Sequence, residues 1–168
     1  MAHRDLPGVI APPPLIYLGV LFIGWGLTRI GTWPEAVDAG FGWLAAGFGL
    51  EPRLRQGAAV TLIIAGLLLD AVSAGLFRRR GTAVEPWKPS TVLVSDGPYR
   101  FSRNPIYLGF AVTYVGLAIG MDSWITLLLL VPCLVVVDRF VIQREERYLA
   151  AKFGADYLAY RQKVRRWL

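Results

Sequence analysis

PIYLGFAVTYVGLAIGMDSWITLLLLVPCLVVVDRFVI, residues 105–142, decides the fold. Its two apolar stretches, 105–120 and 124–142, carry almost no charge and read as helices crossing a bilayer. Pro105 suits a first helical turn, where the missing N–H costs nothing, and Asn104 before it can cap. Met121-Asp122-Ser123 leaves room only for a tight turn, and Asp122 or Ser123 can cap the helix that follows. The pair is therefore a helical hairpin. Gly109, Gly116 and Gly120 thin one side of its first helix, either for close helix contact or to make room for a ligand.

Working outward, two more apolar stretches lie upstream. Residues 15–30 follow Pro12-Pro13-Pro14 and form a span too long for a signal-peptide core, with Gly19, Gly24 and Gly26 available for helix packing. Residues 57–77 are long enough to cross and end on Arg78-Arg79-Arg80. Between them, 41–50 is too short to span. With Trp33 and Trp43 nearby it suits an interfacial or re-entrant position. Downstream, 143–168 turns charged but keeps a helical pattern. Gly154 stops that helix, and Asp156 opens a second, shorter one that suits a membrane surface.

Composition agrees. Of the 168 residues, 55% are hydrophobic and 18% charged, and the mean hydropathy is +0.46. This fits a single all-helical membrane domain of about four spans. The net charge of +6 is concentrated, with 13 of the 18 basic residues in the 78–103 connection and the 144–168 tail. That pattern is the cytoplasmic bias of membrane loops and a surface for anionic headgroups, not a nucleic-acid face. An even number of spans puts both termini on that same side. The loop 81–104 and the tail 143–168 then share one compartment and can meet. One cysteine, Cys133, lies in an apolar run and excludes both an intrachain disulfide and a structural zinc site. The one histidine, His3, reads as a surface residue.

Chemistry is concentrated at the ends of the last two spans. Arg103 with the amides of a helix start can hold an anionic group. Tyr107, one turn inside, can turn its ring toward a cation. Arg144-Glu145-Glu146-Arg147 is either a surface ion-pair ladder or half of a zwitterion site, with a carboxylate for an ammonium group and an arginine for a carboxylate. Asp138 and Arg139 can pair with each other at the membrane boundary. Asp70, alone within its span, either pairs, for instance with Arg139, or meets substrate.

GPYRFSRNPIYLG, 97–109, and REERYLAAKFGADYLAYRQKVRRWL, 144–168, resemble the two signature blocks of the isoprenylcysteine carboxyl methyltransferase family and its phospholipid methyltransferase relatives. Arg139 resembles the basic residue that precedes the glutamate pair there. The resemblance covers about the last 80 residues, while residues 1–80 match in hydrophobic character alone. It implies an integral membrane enzyme that uses S-adenosylmethionine at the cytosolic ends of the last spans. Tyr99, Arg103, Asn104, Tyr107 and Gly109 would line one side of the cofactor, and Glu145 and Glu146 the other. Arg139 and Asn104 would lie at the reacting centre, Arg139 toward a lipophilic or amphipathic acceptor. Asn104 stands where the eukaryotic pattern has histidine. Asparagine can donate a hydrogen bond but cannot act as a titratable base. No glycine-rich nucleotide motif follows a strand, so a doubly wound methyltransferase domain is not supported. No metal is needed, because a sulfonium leaving group is already activated. The rival readings are a nicotinamide-dependent membrane reductase and a non-catalytic lipid-binding module. The identity of the acceptor and the oligomeric state are not encoded in these features.

Overall fold

Bare backbone polar groups are too costly in hydrocarbon, so each apolar span must close its hydrogen bonds internally as a helix. The computed structural model describes residues 6–31 and 52–168. Within them lie four helices: α1 Pro13–Ile30, α2 Pro52–Arg79, α3 Pro105–Gly120 and α4 Trp124–Lys163. The interfacial reading of 41–50 with its tryptophans, and the reading of His3, fall outside the described residues. Helices α1, α2 and α4 are long and apolar enough to cross a membrane. The expectation of four full spans is met by three of them, since α3, at 16 residues, is a shorter apolar helix. Span two is longer than its apolar pattern, beginning at Pro52 and running to Arg79.

The hairpin turn forms as its residues dictate. Asp122 takes the left-handed conformation with φ 56°, and Ser123 Oγ accepts the Thr126 N–H at 3.1 Å as the cap of α4. Thr28 on α1 meets the same Ser123 hydroxyl at 2.7 Å. An Arg55–Asp122 ion pair ties α2 to this end of the bundle.

α2 and α3 approach backbone to backbone. A Cβ on Gly116 would lie 2.8 Å from the Ala59 carbonyl oxygen, and one on Gly66 would lie 2.6 Å from that of Gly109. Gly109 itself abuts the Asp70 carboxylate. These glycines serve helix contact, and in α1 only Gly24, against Thr126, is crowded in the same way. Asp70 does not pair with Arg139. Both its oxygens are buried with no hydrogen-bond partner among the described residues. The rest of α2 presents Val60, Ile64, Leu67, Leu68 and Val72 outward, as a lipid-facing surface does.

α4 outlasts the bilayer. Its apolar first part passes through a π-helical turn, Asp138–Ile142, into the charged stalk Gln143–Lys163. Gly154 breaks the stalk with φ 52°, where the sequence placed a stop. The crossing helices bury one core around Tyr17, Leu21, Tyr107, Tyr114, Cys133 and Val137. The stalk buries a second against the loop, around Val94, Tyr99, Tyr157, Tyr160 and Val164.

Candidate active site

Stalk, loop and the starts of α1 and α3 enclose a cavity of about 220 Å³. Of the residues singled out in the sequence, Tyr99, Arg103, Asn104, Tyr107, Glu145 and Glu146 line it. Gly109 does not, because it faces α2. Arg139 does not either. It lies on a separate groove with Leu108, Leu134 and Trp167.

Local chemistry explains how each side chain is held. Gly97, with φ 57°, starts a 3-10 turn over Gly97–Arg100 that presents the Tyr99 ring to Phe77 at 5.4 Å. The Tyr99 carbonyl accepts the Tyr160 hydroxyl at 2.7 Å, which pins the turn to the stalk. Tyr148 accepts the Ser90 N–H at 3.0 Å and holds the middle of the loop in the same way. Asn104 precedes α3, but its side chain makes no capping bond. Its Nδ2 donates instead to the Arg166 carbonyl at 3.0 Å, and Ser102 Oγ donates to the same oxygen at 3.2 Å. The expected cap is a clasp between the helix start and the tail.

The two adjacent glutamates have opposite surroundings. Glu146 is buried and fully engaged. Its Oε1 accepts from Arg103 at 2.7 Å and its Oε2 from Arg166 at 2.7 Å. Arg166 reaches on to Asp138 at 3.1 Å, and Gln143 donates to Asp138 at 2.9 Å. Asp138 is therefore paired with Arg166 and not with Arg139. Burial alone would raise Glu146, but the hydrogen bonds from Arg166 and Arg103 outweigh it and hold the carboxyl below its ordinary range. Among the described residues Glu145 has no cation. Its Oε1 accepts the Tyr107 hydroxyl at 2.7 Å, a role for Tyr107 beside the ring face expected from sequence. Burial above all raises Glu145; with the Tyr107 bond pulling it down and the neighbouring Glu146 charge pushing it up, the carboxyl stands at about 7.

Arg103 spends both terminal nitrogens inside the protein. NH2 donates to Glu146, and NH1 to the Val164 and Arg161 carbonyls at 2.8 and 3.1 Å. Its Nε–H is buried without a partner among the described residues. The cavity thus offers one carboxylate without a cation among the described residues and the Tyr107 hydroxyl that holds it, a seat for an ammonium group. Around them the walls are apolar or aromatic, including Pro13, Phe110, Trp87 and Tyr157. A methionine-derived sulfonium nucleoside fits this chemistry.

Sequence reasoning missed Arg166, the hub of the ion-pair knot, and the N-terminal wall of Pro7, Pro13 and Pro14. Nothing local marks Arg166 among the tail cations. The Tyr157/Tyr160 pair stood in the tail block, and its spacing of three is the signal that both rings share a face.

A family model described as phospholipid methyltransferase matches residues 54–156. The protein-S-isoprenylcysteine O-methyltransferase of Schizosaccharomyces pombe is 37% identical over 76 residues, which is 44% of this chain and 31% of that one. Its Saccharomyces cerevisiae counterpart is 41% identical over 81 residues, 44% of this chain and 30% of that one. An uncharacterized protein of Haemophilus influenzae is 36% identical over 63 residues, 38% of this chain and 100% of that one. The chain thus spans under a third of the length of the two named methyltransferases. No solved structure matches it.

Proposed function

The chain belongs to the phospholipid methyltransferase family, and on that premise we propose that its cavity binds S-adenosylmethionine and methylates a lipophilic or amphipathic acceptor. The observation that carries this reading is the split between Glu145 and Glu146. One carboxylate is neutralised by two arginines, while the other stands in the cavity wall with only a tyrosine hydroxyl. The bound donor would supply a methyl already activated by its positive sulfur.

The residues have separate tasks. Glu145 holds the donor's ammonium group, oriented by the Tyr107 hydroxyl. Tyr99, Tyr157 and Tyr160 wall the site against water. Asn104 acts on the fold of the site and not as a base, because its amide is spent on the tail. Alignment and exclusion of water are the main contributions of such a site. Pro7 and the tail lie at the same cavity, which supports both termini on one side, and the concentration of arginine there favours the cytoplasmic side.

Thermal unfolding of the full chain in detergent tests the reading. S-adenosylhomocysteine should raise the melting temperature and NADPH should not. Stabilisation by NADPH alone would move the protein to the reductases, and stabilisation by neither to a lipid-binding module.

A further inference from the structure

Against α3 and α4, sharing no lining residue with the cavity, lies an open groove of about 510 Å³. Leu108 and Ala111, three apart on α3, form one bank, and Leu134 and Val135 on α4 form the other. Val135 is 54% exposed, so the groove opens sideways toward lipid. Asp138, Arg139 and Trp167 close one end. That end lies where α4 leaves its apolar stretch.

The charges at this end do not cancel. Asp138 is neutralised by Arg166 and accepts a hydrogen bond from the Gln143 amide. Arg139 is exposed, with no hydrogen bond or ion pair among the described residues. The Arg166–Asp138 pair also brings the neighbouring Trp167 to this end, and indole rings favour the headgroup level. An apolar trough that ends in one unspent guanidinium at headgroup depth is complementary to an amphiphile with one uncompensated negative charge.

We propose that this groove is a binding site for an anionic phospholipid, with its phosphate on Arg139 and an acyl chain along Leu108, Ala111, Leu134 and Val135. The site is distinct from the cavity and does not rest on methyl transfer. A lipid seated there touches the same helix turn whose Asp138 anchors Arg166, so occupancy would brace the tail.

Native mass spectrometry of the delipidated full chain, titrated with phosphatidylglycerol and with phosphatidylcholine of equal chain length, tests the proposal. The wild-type protein should retain one phosphatidylglycerol at concentrations that leave phosphatidylcholine unbound. Arg139→Gln should weaken that binding about fivefold. Val135→Trp, which fills the trough from an exposed position, should weaken it as well. Arg79→Gln, a control at an exposed arginine outside the groove, should change nothing. Equal binding of the two lipids, equal losses for Arg139→Gln and Arg79→Gln, or displacement by millimolar inorganic phosphate irrespective of acyl chain would each overturn the site. A lipid bound as tightly by Val135→Trp as by wild type would place it elsewhere on the surface.

Discussion

The cavity wall around Glu145 and the knot around Glu146 are one residue apart and obey different physics. In the knot, Arg103, Glu146, Arg166 and Asp138 neutralise one another in sequence. It closes the tail over the loop and has nothing left for a ligand. In the wall, a carboxylate is held by a neutral hydroxyl and keeps its charge unmatched. The difference teaches that a pair of acids in a motif need not share a role. One is spent within the fold, and on the proposed reading the other binds.

The largest expected effect breaks the knot. Glu146→Ala leaves Arg103 and Arg166 facing each other without their anion and should cost about 3–5 kcal/mol of stability, read as a lowered unfolding midpoint in detergent. Glu145→Ala should leave that midpoint at or above wild type. Equal losses in the two variants would erase the distinction.

Next comes binding. Glu145→Gln keeps the shape and removes the charge, and should weaken S-adenosylhomocysteine binding about 10- to 100-fold by calorimetry, the range for a charge-assisted hydrogen bond. Acidity sharpens the same point. With Glu145 raised to about 7, affinity for the cationic donor should climb as pH rises from 6 to 8 and then level off. Glu145→Gln should be flat over that range. In the unliganded protein the sign reverses. A carboxyl raised in the fold binds its proton more tightly than in the unfolded chain, so its contribution to stability is full at low pH and is lost as pH rises through about 7. Glu146, lowered in the fold, contributes in the other direction and loses its share on acidification.

The smallest effect belongs to Tyr107→Phe, which removes one hydrogen bond from Glu145. A loss of about 1 kcal/mol is expected, near fivefold in donor affinity. No change in affinity would detach the hydroxyl from the site.

Local signals were legible and long-range ones were not. Pro105, Ser123 and Gly154 act on their own backbone, and the hairpin, its cap and the stalk break followed from them. The small residues of α3 declared an interface, though not which helix it met. Asn104 looked like a cap because capping is local. Its actual partner lies 62 positions away, and no spacing rule reaches that far. Arg166 was hidden for the same reason. Arg139 is more instructive. On an unbroken α-helix it would share a face with Glu146, seven residues on. The π-helical turn between them spoils that count and sends the two side chains to different cavities.

That turn has a practical corollary. A wide turn is equivalent to an inserted residue within a helix. Deleting one amino acid from 138–142 would let the rod wind evenly and, because the wide turn already absorbs that residue, leave everything beyond it facing nearly the same way. The crossing and the stalk would both keep their places. A shortened chain of this kind should still insert, still fold its hairpin and still close the Arg103–Glu146 pair.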